Sequence, residues 1–175
     1  TREPGGTKSS ELIRNLILKD YFNKNTKDKF DKYTDTLLYL AARNENVINK
    51  IKPALLKKQV VICDRFTDST LAYQVYGKKV DIEFINNIHK KILGKIKPNL
   101  VFILRVSTKS SKLRLKKRKS KNRYDNFPQS FYTKAQKSFL KIAKNKKNYF
   151  ILNSSSNDNI LEKNIFNIVK KFLNI

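Results

Sequence analysis

The chain has 175 residues and a mass of 20.5 kDa, a length suited to a single domain that buries roughly 70% of its unfolded surface. With 39% apolar and 11% aromatic residues it is too rich in core formers for a disordered polymer, and it has no apolar run of about 18 residues to span a bilayer. One cysteine, Cys63, excludes an internal disulfide or a multi-cysteine metal centre, the start has no signal-peptide pattern, and 39 Lys and Arg against 14 Asp and Glu leave a net charge of +25; a cytoplasmic protein with a field attracting phosphates, nucleic acid or anionic lipid is expected.

Arg2-Glu3-Pro4-Gly5-Gly6-Thr7 reads as a tight loop in which glycine permits close backbone approach to a ligand, followed by a helix over Ser9–Leu18. A second helix is predicted over Asp35–Ile51, with Lys52-Pro53 interrupting or kinking it before Ala54–Lys58. Val60–Cys63 is a short apolar run predicted to be a buried strand, which brings Asp64 and Arg65 out at its carboxyl end. Asp81 is an N-cap candidate for a helix over Ile82–Leu93 that stops at Gly94. Strands at Leu100–Val106 and Tyr149–Leu152 alternate with helices at Ser111–Lys119, Ser130–Lys144 and Asn159–Leu173, while the polar tract Asn153–Asn159 reads as a loop. Such alternation predicts an α/β layer fold with a parallel sheet, a fold that binds ligands at the carboxyl ends of its strands.

Eight arginines stand out from 31 lysines spread along the chain, because a planar guanidinium binds phosphate bidentately and an ammonium does not. Asp64 can hold a metal or its waters and Arg65 can grip a phosphate; a strand-end acid paired with its neighbouring base is the plain structural alternative. Within Asp68-Ser69-Thr70-Leu71-Ala72-Tyr73-Gln74, Thr70 and Gln74 are four residues apart with Tyr73 beside them, so a helix would offer a hydroxyl, a carboxamide and an aromatic face together. That set suits the edge of a nucleobase. Tyr39 and Arg43 share a helix face in the same way, and a base stacked on Tyr39 would gain about 1–3 kcal/mol; a core tyrosine with a solvated arginine is the alternative. Arg14 lies on the helix after the glycine loop. Arg105–Arg123 holds ten basic residues and no acid, which fits a cationic lid over a polyphosphate, a nucleic-acid contact or a solvated surface. His89 sits on the polar flank of its helix with no evident partner.

Taken in order, Arg2-Glu3-Pro4-Gly5-Gly6-Thr7, Glu11-Leu12-Ile13-Arg14, Leu38-Tyr39-Leu40-Ala41-Ala42-Arg43, Ile51-Lys52-Pro53-Ala54-Leu55 and Asp64-Arg65-Phe66 through Ala72-Tyr73-Gln74 resemble the bacterial thymidylate kinases. These are nucleoside monophosphate kinases of the P-loop superfamily that phosphorylate dTMP. The resemblance covers essentially the whole chain and implies a three-layer α/β/α parallel sheet in one domain over 1–175, with a basic lid at about 109–128. It implies that Arg65 and Arg43 hold the dTMP phosphate and base, that Tyr39 stacks on thymine where the family more often has Phe, and that Thr70 and Gln74 read the pyrimidine. Ser69, Glu3 and Pro4 fall among the substrate-binding positions, and Tyr73 would lie against the deoxyribose. Arg14, Asp64, Arg65, Arg118 and Arg123 match catalytic positions, with Asp64 associated with Mg2+ through water and Arg118 and Arg123 near the phosphates of ATP. A homodimer is implied, with neither membrane nor specific nucleic acid as a partner.

The chain departs from the family pattern most clearly in lacking G-x-x-x-x-G-K-[ST], which the family carries about 25 residues before the Arg-Glu-Pro-Gly-Gly block. The expectation is therefore of a fragment without the first, central strand, the phosphate loop and the first helix, roughly 35 residues, unable by itself to bind ATP productively. Milder departures are Asn122 for Asp, Asp125 for Glu, and Val75 and Lys78 where Gly and Arg are frequent. A kinase for another nucleoside or nucleoside monophosphate, or a noncatalytic basic nucleic-acid-binding module, would share parts of this inventory.

Overall fold

A computed structural model describes residues 1–19, 29–117, 122–155 and 159–175. Its contacts divide the chain into two compact units, Thr1–Lys97 with Asn122–Phe139, and Pro98–Lys121 with Leu140–Ile175.

In the first unit, Thr7 caps helix α1 (Lys8–Leu18) by accepting the Ser10 amide on its hydroxyl at 3.2 Å. Ser10 in turn donates its hydroxyl to the Ala42 carbonyl at 3.0 Å, and both residues are fully buried, so small side chains let α1 lie close against α2 (Lys32–Asn46). Asp31 caps α2 by accepting the Tyr33 amide at 2.7 Å. At Lys52-Pro53, expected to interrupt or kink the helix, α2 runs through a wide π turn, Val47–Ile51, into α3 (Lys52–Leu56), with Pro53 in the first turn of α3. The wider turn spares the proline ring a clash with the preceding carbonyls.

Helix α4 (Thr67–Thr70) likewise passes into a π segment, Leu71–Gly77. Gly77 is set by close approach, because a Cβ there would sit 2.6 Å from the Phe131 ring. Helix α5 (Ile82–Leu93) matches its predicted bounds, with the Asp81 carboxylate accepting the Glu83 and Phe84 amides and Gly94 ending it at φ 58°. Two apolar clusters hold these helices together. Leu40, Val80 and Ile85 pack with Leu71, Val75, Phe84, Ile88 and Ile92, and Val47, Ile51 and Leu93 pack with Val61, Phe66 and Ile96. Full burial of such a side chain contributes about 1.5–3 kcal/mol.

The strand expected at Val60–Cys63 is a second correction. Among the described residues only Thr1–Glu3 lies alongside this stretch, in a single parallel bridge between Arg2 and Asp64, made by Asp64 N–H to the Thr1 carbonyl at 3.0 Å and Glu3 N–H to the Asp64 carbonyl at 2.9 Å. A ladder needs a neighbour in register along its length, and without one Val60 and Ile62 stay exposed. The unit is completed by a 3-10 turn, Arg123–Asn126, closed by a reciprocal cap: Asn122 accepts the Tyr124 amide and Asp125 accepts the Asn122 amide. Helix α7 (Gln129–Ala143) follows, contributing residues through Phe139 to this unit.

In the second unit, β1 (Val101–Arg105) and β2 (Tyr149–Asn153) pair in parallel, with Val101 opposite Tyr149 and Arg105 opposite Asn153. The Phe102 and Phe150 rings lie 5.7 Å apart on this ladder. Parallel strands require a crossover, here the chain through α6 (Thr108–Lys117) and α7. After β2, the Ser154 amide reaches the Arg105 carbonyl at 2.7 Å and Arg114 donates to the Ser154 carbonyl at 2.6 Å. Helix α8 (Asn159–Leu173) ends the unit as predicted. The α/β class with a parallel sheet stands, with two laddered strands among the described residues instead of three. No described helix is long and apolar enough to cross a membrane.

Candidate active site

The glycine loop, the segment ending at Asp64, the middle of α2 and the helix after Phe66 meet in the first unit. Glu3, buried with 4% exposure, accepts the Arg43 Nε–H on Oε2 at 2.7 Å and the Asn46 amide on Oε1 at 3.3 Å. Arg43 Nη1 donates to the Thr70 hydroxyl at 2.9 Å and to His89 Nε2 at 2.6 Å, and its guanidinium lies 5.3 Å from the centre of the Phe66 ring. Glu3, Arg43 and Thr70, three of the expected positions, thus form one buried polar network. His89 corrects the expectation of no partner: burial first, and the adjacent Arg43 charge second, push its imidazole down to about 3, so it is neutral and accepts.

Arg65 follows directly on Asp64 at φ 65°, a left-handed conformation that costs a non-glycine residue about 1–3 kcal/mol and is found where the surroundings impose it. Its guanidinium lies 5.3 Å over the Tyr73 ring. Arg65 is solvent-exposed; the partial desolvation of its guanidinium opposes the charge, but the Tyr73 hydroxyl, Asp64 and Tyr39 outweigh it and hold its pKa above the ordinary value. Tyr39 is pushed up to about 12, by burial before any neighbour, with Arg65, Tyr73 and Arg14 all close enough to act on it. Arg14 donates to the Pro4 carbonyl at 2.6 Å; burial and the charge of Arg2 lower its pKa, against Glu11. Arg14, Tyr39, Arg65 and Tyr73 therefore form an electrostatically coupled set. The loop itself needs glycine at Gly6, where φ is 97° and a side chain would collide with Thr1 and Asn46.

Gln74 is 2% exposed and its Nε2 has no hydrogen-bond partner among the described residues. An unmet buried amide costs about 1–3 kcal/mol, so a partner for it is the question the site poses. Ser69 is half-buried in α4 with its amide on the Phe66 carbonyl at 3.0 Å. Asp64 is exposed, and no cluster of three His, Cys, Asp or Glu residues that could cage a metal occurs among the described residues. One open carboxylate at the lone Arg2–Asp64 bridge suits a hydrated Mg2+, which keeps several waters and takes few protein ligands.

Arg123 belongs to a second buried cluster. It forms an ion pair with Asp35, which is wholly buried and also receives Lys78 Nζ at 2.5 Å and the Tyr124 hydroxyl at 2.9 Å. Burial pulls Lys78 down to about 8. The Tyr124 ring meets Tyr39 edge-on at 6.2 Å, which links this cluster to the coupled set. Arg118 lies outside the described residues. Sequence reasoning missed Asp35 and Lys78; an acid four residues before Tyr39 on one helix face was the available signal.

The family model described as Thymidylate kinase matches residues 1–165. The chain is 44% identical over 146 residues to the thymidylate kinase of Wolbachia sp. subsp. Brugia malayi (strain TRS), covering 83% of this chain and 65% of that protein. It is 36% identical over 174 residues to that of Wolbachia pipientis subsp. Culex pipiens (strain wPip), covering 98% and 79%. The crystal structure of thymidylate kinase from Ehrlichia chaffeensis superposes with a TM-score of 0.72 at 29% identity, covering 97% of this chain and 79% of that one. The chain belongs to the thymidylate kinase family.

Proposed function

We propose that this chain binds dTMP and serves its phosphorylation to dTDP with ATP and Mg2+. What supports the reading is the buried Gln74 amide, without a partner among the described residues, which follows Thr70 by four residues along a continuous helical segment; Thr70 in turn accepts from Arg43, and Arg65 lies over Tyr73. A pyrimidine edge satisfies the Gln74 amide, which donates and accepts at once, and Thr70, whose oxygen already accepts from Arg43, keeps its own proton to donate. Tyr39 supplies the stacking face, Tyr73 lies against the deoxyribose, and Arg65 takes the phosphate; Glu3, Pro4 and Ser69 shape the surrounding wall.

In the transfer, an oxygen of the dTMP phosphate attacks the γ-phosphorus of ATP in line, and the bond to the β-bridging oxygen breaks to release ADP. Little covalent work falls to the protein. Arg14 and Arg65 align the acceptor and offset charge on the transferred group, and Arg118 and Arg123 are assigned to the donor side of the basic lid, which Arg123 reaches only on leaving the ion pair it makes with Asp35 in this structure. Asp64 would hold Mg2+ through water, and the ion would supply compensation of phosphate charge. The same reading assigns a cytoplasmic homodimer.

The test is calorimetric binding of dTMP, dUMP, UMP and thymidine. Preference for dTMP and an affinity loss of about 100-fold in Arg65→Ala, the scale of two charge-assisted hydrogen bonds, are expected. A clear preference for another nucleotide overturns the choice of substrate. Salt-sensitive nucleic-acid binding indifferent to Arg65→Ala, with no nucleotide preference, would favour the basic binding module instead.

A further inference from the structure

We propose that His89 is a positioning residue for nucleotide recognition: its imidazole, protonated on Nδ1, offers an unprotonated Nε2 to Arg43 and fixes the plane of that guanidinium. The proposal rests on the functional reading above. Arginine is a donor at every nitrogen, so the atom of His89 that lies 2.6 Å from Arg43 Nη1 has to carry a lone pair. A protonated ring would set a second cation against the first in a part-buried site.

One contact cannot hold a planar fork. Glu3 engages Nε from the glycine loop at 2.7 Å, which leaves the group free to swing about that bond. Thr70, from α4, and His89, from α5, share Nη1 at 2.9 and 2.6 Å, and Phe66 faces the guanidinium at 5.3 Å. Anchors at two corners and one face define the plane. Nη2 is then the remaining corner of the fork, and among the described residues no hydrogen bond engages it. His89 touches Arg43 and is not assigned to the nucleotide, so its action is indirect.

The imidazole has a polar role if replacements are distinguished by their lone pair and not by their volume. The substitution His89→Gln returns an acceptor at similar reach, whereas His89→Leu returns bulk alone. The experiment therefore measures dTMP affinity by calorimetry in the wild type, His89→Gln, His89→Leu and Arg65→Ala, with the imidazole tautomer read from 15N–1H correlations of the wild type near neutral pH. Expected are a protonated Nδ1 and bare Nε2, a loss of about 10-fold in His89→Leu, the scale of one hydrogen bond to a charged group, and near-wild-type affinity in His89→Gln. A protonated Nε2, or a His89→Leu variant that binds as the wild type while Arg65→Ala is impaired, overturns the proposal and leaves the functional reading standing. An unimpaired Arg65→Ala overturns that reading and the proposal with it. Should His89→Leu fail to fold, the tautomer and the Gln variant decide: loss of affinity in His89→Gln comparable to Arg65→Ala overturns the proposal.

Discussion

Arg43 and Glu3, forty positions apart, meet inside the first unit with Nε 2.7 Å from Oε2 and only 4% of either side chain exposed. A charge pair in that setting is costly to assemble and costlier to break, because desolvation has already been incurred by both partners.

Glu3→Gln should therefore lower the unfolding free energy by about 3–5 kcal/mol, the loss expected when a buried cation is left without its counter-charge. Denaturant unfolding measures it. The double variant Glu3→Gln with Arg43→Met should lose less than the single one, since no uncompensated charge remains; a loss equal to the sum of the two single-variant losses would show that the pair is not coupled.

What was legible in the sequence was local. Asp81 and Gly94 bound α5 because a cap and a left-handed stop act within one turn, and the order of helices and strands brought the α/β class with it. Val60–Cys63 read as a strand from composition, but a ladder depends on what lies beside it, which the run itself does not encode. The π segment at Leu71–Gly77 shifts hydrogen bonds by one residue without changing the residue types, so it leaves no periodic mark. The arginines of the site were visible by type, whereas the His89 contact spans 46 positions, and on its own helix that residue looks like an ordinary polar flank.

The neutral state of His89 makes stability depend on pH in a definite direction. Its pKa is held at about 3 in the folded chain by burial and by Arg43, with Glu3 on the far side of that arginine, against 6.5 unfolded. Between these values the unfolded state binds the extra proton, so stability is full above 6.5 and falls as pH drops toward 3. The slope is at most about 1.4 kcal/mol per pH unit for one proton. Comparing unfolding of the wild type and His89→Gln from about pH 7 to 4 isolates it from the carboxylates; parallel curves would refute the assignment.

Asp35 holds Lys78, Arg123 and Tyr124 at a point with no solvent exposure. Asp35→Asn keeps the size and an acceptor for the Tyr124 hydroxyl but strands two largely buried cations, for an expected loss of about 3–5 kcal/mol. The Asp125 and Phe127 amides, bonded to the Asn122 and Tyr124 carbonyls, should exchange with deuterium faster than those of α5. Unchanged exchange there would mean that this acid does not anchor the Arg123–Asn126 turn.

Gln74 separates stability from recognition. Its Nε2 is buried without a partner among the described residues, so the folded chain already bears the cost of desolvating that amide. Gln74→Leu, close in volume and free of that burden, should be as stable as the wild type or more so by about 1 kcal/mol, while dTMP affinity falls by about 10–100-fold. A residue kept for packing behaves the other way: its replacement destabilises the chain and leaves binding alone. Thermal unfolding and calorimetry on the same two proteins distinguish these outcomes, and a destabilised variant with intact dTMP affinity would remove Gln74 from the recognition set, together with the main support for a pyrimidine at this site.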